Sequence, residues 1–189
     1  MYNIGFIGNC QMIEICYYLQ ELFKNNKDIR WCLYGDKFKS ALHRRIVTDN
    51  NGRKIELNHW ADKCKNKIID YNQSIRYIKS CDVIIYQKIK PETSKYFNEE
   101  NILKMRKPDS KLIKLPSIHI DYNNYNASIL ELQKREKENN VDIFVSEILN
   151  KYRPKKLTFD ISHPNPFLFK EILKEICFII NIKKLSDKK

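Results

Sequence analysis

A cysteine placed directly after an apolar run is the residue in this chain best able to do covalent chemistry. Tyr2 to Ile7 enters Gly8-Asn9-Cys10-Gln11, and Met12, Ile15, Cys16, Leu19, Leu22 and Phe23 follow as an apolar stripe at helical spacing. Strand, tight turn and helix in that order put Cys10 at a helix N-terminus, where the positive end of the dipole favours the thiolate. A thiolate at a strand-to-helix turn is a nucleophile suited to acyl transfer. Nearby backbone amides, with the side-chain amides of Asn9 or Gln87, are candidate oxyanion donors. The alternative for any thiol is a small buried hydrophobe. Cys16 and Cys177 on apolar helical faces, Cys32 inside a strand, Cys81 beside one and Cys64 at a helix start fit a filler role.

A base is the second requirement, and the sequence offers two. In Asp160-Ile161-Ser162-His163-Pro164 a carboxylate stands three residues before a histidine. At that spacing Asp160 can accept the Nδ1 proton of His163 and leave Nε2 to act as base, with Pro164 suited to the first turn of a following helix. The same residues also suit a plain N-cap, in which Asp160 or Ser162 satisfies orphan amides. His119, in Pro116-Ser117-Ile118-His119, is the rival base. His43 and His59 fall in a poorly patterned basic segment and read as surface residues.

These residues need elements to hold them. Ile29 to Tyr34 reads as a second strand, and Ile46 to Thr48 with Lys54 to Leu57 as a small hairpin about Asp49-Asn50-Asn51-Gly52. A helix is predicted over about 62–80, a buried strand over 82–86 ending at Gln87-Lys88, a helix over about 98–107 and a strand over 111–115. Residues 126–152 read as helical with a break near Asn139-Asn140, and an apolar helix is predicted from Asn165 to Ile182. Alternating strands and helices predict an α/β fold: three layers, a mostly parallel central sheet flanked by helices, SGNH- or flavodoxin-like. In such sheets ligands bind beyond the carboxyl ends of the strands, where Gly8 to Gln11, Gln87-Lys88, Ser117 to His119 and Asp160 to His163 fall. One α/β domain is expected over 1–182, with a frayed basic tail over 183–189.

Composition narrows the function classes. The 189 residues carry 35 Lys and Arg against 23 Asp and Glu, a net +12, which favours anionic partners. The positive charge is mostly lysine spread along the chain, without the arginine clustering or signature of a nucleic-acid reader, so none is expected as partner. No stretch of about 18 apolar residues occurs and no secretory leader is visible, so a cytoplasmic protein without a membrane span is expected. The six cysteines form no CxxC pair, so no metal site or disulfide framework is signalled. The apolar final helix, with Phe167, Phe169, Ile172, Phe178 and Ile179 on more than one face, leaves a second face for a neighbouring layer or a homo-oligomer interface.

Gly8-Asn9-Cys10-Gln11, Asp82 to Gln87, Lys111 to Ser117 and His163-Pro164-Asn165, in that order over about residues 4 to 170, resemble the WcbI family of polysaccharide-biosynthesis enzymes. The resemblance implies a cytoplasmic bacterial acetyltransferase of capsule or lipopolysaccharide assembly that binds coenzyme A. It also implies an SGNH-like arrangement in which a nucleophile in the first βα turn, here Cys10, meets a late Asp-x-x-His, here Asp160 and His163. The chain departs from SGNH hydrolases in having Tyr86-Gln87 where they carry a Gly-x-Asn-Asp block. With coenzyme A as donor, Lys88 and Lys90, or Arg153, Lys155 and Lys156, are candidates to meet its phosphates, and no metal is needed. Cys10 would take the acyl group and His163 would deprotonate the sugar hydroxyl that receives it. The alternatives are a thiol-dependent esterase or deacetylase using the same residues, and a noncatalytic coenzyme A binder.

Overall fold

The computed structural model describes residues 2–22, 29–34, 46–48, 54–56, 71–88 and 98–180. Strand β1 (Tyr2–Ile7) is followed by α1 (Cys10–Leu22) and β2 (Ile29–Tyr34); β3 (Ile46–Thr48) and β4 (Lys54–Glu56) pair antiparallel as a separate ribbon. Then come α2 (Tyr71–Ser80), β5 (Val83–Gln87), α3 (Glu99–Met105), β6 (Lys111–Leu115), α4 (Tyr125–Glu138), α5 (Val145–Lys151) and α6 (Pro166–Ile179). The four strands of the main sheet run in the order β2-β1-β5-β6, every pair parallel. The coarse α/β expectation therefore holds.

Alternation along the strands feeds two separate cores, as the two-residue period requires. Ile4, Phe6, Val83, Ile85, Ile113 and Leu115 pack with α1 and α4 to α6. Ile7, Ile84, Tyr86 and Leu112 pack with Ile78 of α2 and with Ile102 and Met105 of α3. Strands buried on both faces read as unbroken apolar runs, which is why 82–86 was legible as a strand. The free edge of β6 is covered: the Lys114 amide donates to Asp142 Oδ2 at 2.7 Å and the Asp142 amide to the Lys114 carbonyl at 3.0 Å.

The helical stretch 126–152 breaks over 139–144, at the Asn139-Asn140 break the sequence predicts, and Asn140 takes φ +45°. Two other expectations shift. The final helix starts at Pro166, capped by Asn165 Oδ1 accepting from the Leu168 amide at 3.0 Å. Pro164, expected in the first helical turn, instead forms an antiparallel bridge with Thr158, because Asn165 captures the cap position and Pro166 takes the amide-free N1 site. The helix expected over 62–80 is described from Tyr71 onward; its first part, the loop of the β3-β4 hairpin, His43, His59, Lys90 and the tail 183–189 lie outside the described residues.

Candidate active site

The chain runs from β1 outward to β2 and returns on the other side of β1 as β5. The crevice beyond the carboxyl ends of β1 and β5 is the place where such a sheet binds ligands. Gly8, Asn9 and Cys10 leave β1 at this crevice, and Gln87 ends β5 beside them. Gly8 is required by space: a Cβ there would lie 2.2 Å from Met12 Cγ and 2.9 Å from Gln87 Cβ. Its absence lets the strand-to-helix turn close against β5. Asn9 caps α1, its Oδ1 accepting from the Gln11 amide at 2.9 Å. Cys10 is the first residue of α1 and is exposed, whereas Cys16, Cys81 and Cys177 are buried. Burial pushes the Cys177 thiol up to about 11, so that thiol is inert at neutral pH.

Two buried amides tie the loops at this end together. Gln11, 2% exposed, donates through Nε2 to the carbonyls of Ile118 (2.8 Å) and Ser162 (2.7 Å). Its Oε1 accepts from Gln87 Nε2 at 2.7 Å and from the Ile118 amide at 3.2 Å. Gln87, 1% exposed, spends its other Nε2 hydrogen on the Pro116 carbonyl at 2.9 Å and accepts the Asn9 amide through Oε1 at 3.4 Å. Both Nε2 hydrogens of Gln87 are thus committed, and the expected oxyanion donor at this position is corrected to a tie between loops. The side chain of Gln11 is a tie of the same kind. Asn9 is the side-chain amide with capacity left, because only one of its Nδ2 hydrogens is bonded, to Ser117 Oγ at 3.4 Å.

The late motif folds as a tight hairpin over 157–165. The Phe159 amide donates to the His163 carbonyl at 2.7 Å and the Asn165 amide to the Leu157 carbonyl at 2.9 Å. Tyr122 Oη accepts the Leu157 amide at 2.5 Å, and the Ile120 amide donates to the Ile161 carbonyl at 2.6 Å, fixing the hairpin to the loop after β6. Within it both carboxylate oxygens of Asp160 lie 2.6 Å from His163 Nδ1, and Oδ1 also accepts the amides of Ser162 (2.8 Å) and His163 (2.9 Å). Both readings of the motif hold at once: Asp160 satisfies backbone amides and orients the imidazole. Partial burial pulls the Asp160 carboxyl upward, but the Ser162 amide and the His163 ring outweigh it and hold the carboxyl below its ordinary range. His163 is 5% exposed, and Asp160 claims its Nδ1.

The rival base is held differently. Ser117 Oγ stands between Asn9 Nδ2 and His119 Nε2, the latter at 3.2 Å, and His119 is exposed. No sequence pattern marks Arg135, whose guanidinium reaches from α4 to the Ser117 carbonyl at 3.0 Å. The contact spans 18 residues and follows no local pattern. Of the candidate phosphate contacts, Lys88 donates to Asn139 Oδ1 at 2.8 Å. Arg153, Lys155 and Lys156, which lead into the hairpin, lie over the rings of Tyr125 (5.0 Å), Phe167 (5.5 Å) and Tyr122 (5.4 Å).

No protein-family model matches the chain, and no curated protein matches it in sequence. Among solved structures the fold is similar to that of WcbI. That protein is described as a novel polysaccharide biosynthesis enzyme, in a native form without a disulfide bond between coenzyme A and one of its cysteines. The likeness covers all of this chain and 72% of WcbI at a TM-score of 0.60 and 13% identity, so it is a likeness of fold. Among the described residues no helix is long and apolar enough to cross a membrane, and no cluster of His, Cys, Asp and Glu could hold a metal ion.

Proposed function

We propose that the protein is an acyltransferase of polysaccharide biosynthesis that moves an acetyl or related acyl group from coenzyme A to a sugar hydroxyl. Cys10 is the nucleophile, and His163, oriented by Asp160, is its base. One observation carries the reading: Gln11, next to Cys10, donates to the carbonyl of Ser162, next to His163, at 2.7 Å. The thiol-bearing turn and the Asp160-bonded imidazole are therefore parts of one hydrogen-bonded unit, an arrangement similar to that of SGNH hydrolases with sulfur in place of the serine oxygen.

The residues fit a thioester donor with an anionic handle. Cys10 is exposed at the start of a helix, and Arg153, Lys155 and Lys156 form a cationic approach on the segment leading to His163. The thioester supplies an activated acyl group whose exchange between two thiols is nearly isoenergetic. His163 draws the thiol proton, Cys10 takes the acyl group, and the second Nδ2 hydrogen of Asn9 faces the developing oxyanion. The α/β domain of 1–182 is read as a cytoplasmic unit acting on a soluble sugar precursor.

The test is intact mass of the reduced protein after incubation with acetyl-CoA, beside Cys10→Ala, with thermal shift in free coenzyme A. An acetyl adduct absent from the variant supports Cys10 as nucleophile. Stabilisation by coenzyme A without an adduct supports direct transfer or a binding role, and release of free acetate regardless of added sugar supports a thiol esterase. No response to either ligand would sink the reading.

A further inference from the structure

We propose that Asn9, Ser117 and His119 form a directed proton relay that receives the proton of the acceptor hydroxyl, separate from the Asp160-His163 pair that serves Cys10. The inference rests on the acyltransferase reading for its substrate, and on hydrogen bonding for the connection of its three side chains. Asn9 Oδ1 must face the Gln11 amide, a donor at 2.9 Å, so Nδ2 is the atom that faces Ser117. Nδ2 can only donate, so one lone pair of Ser117 Oγ is taken there, and the same oxygen lies 3.2 Å from His119 Nε2. The relay requires the Ser117 proton to face His119 Nε2, with the ring proton on Nδ1. Asn9 links the first turn of α1 in this way to a histidine more than one hundred residues away.

The rest of the segment is fixed around this chain of atoms. Gln87 holds the Pro116 carbonyl, Arg135 the Ser117 carbonyl, and Gln11 both the amide and the carbonyl of Ile118. Ser117 Oγ is presented from a rigid loop one residue away from Cys10 through Asn9. The two histidines also differ in access: His163 is buried on a hairpin, whereas His119 is exposed, where a bulky glycan can reach.

The transfer has two proton demands, and this geometry divides them. In the second half-reaction the acceptor O–H breaks as its oxygen bonds to the acyl carbon of acyl-Cys10. The acceptor proton passes to Ser117 Oγ while the Ser117 proton moves to His119 Nε2. The C–S bond then breaks, Cys10 leaves as thiolate, and the proton on His119 returns through Ser117 to solvent or to the thiolate. No oxidant or further reactant is consumed.

Two measurements test it. Nitrogen NMR of the ligand-free protein should show His119 as the Nδ1-protonated tautomer, and Ser117→Ala should release that preference. In the second, His119→Ala should take the acetyl group from acetyl-CoA onto Cys10 at the wild-type rate. It should discharge it to glycerol, used as a surrogate polyol, about 100-fold more slowly, with added imidazole restoring the rate. An Nε2-protonated His119, or wild-type discharge by His119→Ala, overturns the relay. If wild-type protein takes no adduct, the Cys10 reading falls, and the tautomer alone then decides the relay.

Discussion

The two ends of the central sheet are fastened by opposite chemistry. At the amino ends of the strands, Asp82 accepts the Asn3 amide at 2.6 Å, is ion-paired to Lys107, and through its backbone bonds both Asn3 and Lys111. That clasp is charged and partly open to solvent. At the carboxyl ends, Gln11 and Gln87 join four segments through neutral amides, both buried. A buried network without net charge leaves the field at that end to be set by the start of α1, Asp160 and the two histidines. At the amino ends an ion pair serves; beside the exposed Cys10 the fastening is electrostatically quiet.

The largest expected effect is chemical and confined to one end. His163→Ala should lower transfer from acetyl-CoA by roughly 10²- to 10⁴-fold, read as the rate of adduct formation on Cys10. Asp160→Asn, which keeps the shape and removes the charge, should fall between that variant and wild type. Asp82→Asn at the other end should leave the rate within about two-fold, as for a substitution remote from any site. Equal losses from Asp82→Asn and His163→Ala would erase the distinction between the ends.

Next in size is the stability of the neutral network. Gln11→Leu removes the Gln11 partners of the Ser162 and Ile118 carbonyls, the Ile118 amide and one Gln87 hydrogen. It should cost about 3 kcal/mol, at 1–3 kcal/mol for each buried orphan with partial relaxation. For a chain of this length that lowers the melting temperature by roughly 6–12 °C. Gln87→Leu should cost a similar amount, and the double variant less than the sum, because the two share the bond between Gln87 Nε2 and Gln11 Oε1. Strict additivity in a thermal-melt cycle would show two independent bonds rather than one fastening.

The ends also differ in how far the sequence disclosed them. Burial on both faces writes an unbroken apolar run in β5, buried at every position, which falls at 83–87 against the expected 82–86. The placement of Cys10 at the start of α1 and the contact between Asp160 and His163 were legible because their spacing is local, within one turn or one hairpin. Gln87 reads in sequence as an oxyanion donor because its partners, Gln11 and Pro116, lie 76 and 29 residues away, and an amide in sequence does not reveal which hydrogens are spent. Arg135 was silent for the same reason. Pro164 was placed in the helix because proline suits a first turn, and Pro166, two residues on, suits it as well.

The smallest effect concerns acid, and it separates the ends by sign of charge alone. Partial desolvation pulls Asp82 upward, but the Asn3 amide and the Lys107 ammonium outweigh it and lower its pKa from the ordinary 3.8. A carboxyl lowered on folding stabilises the native state above its unfolded value, and that contribution fades as pH falls through the folded value. Asp82→Asn should therefore cost about 1 kcal/mol at neutral pH, since solvent screens a pair this open, and the difference from wild type should shrink below about pH 4. Gln11 and Gln87 do not titrate, so Gln11→Leu should lose melting temperature in parallel with wild type across the same range. Asp160 is lowered too and acts in the same direction, so Asp160→Asn serves as the matched control at the reactive end. A Gln11→Leu melt that converges on wild type in acid would mean that the carboxyl-end fastening draws on charge after all, and the contrast between the two ends would have to be abandoned.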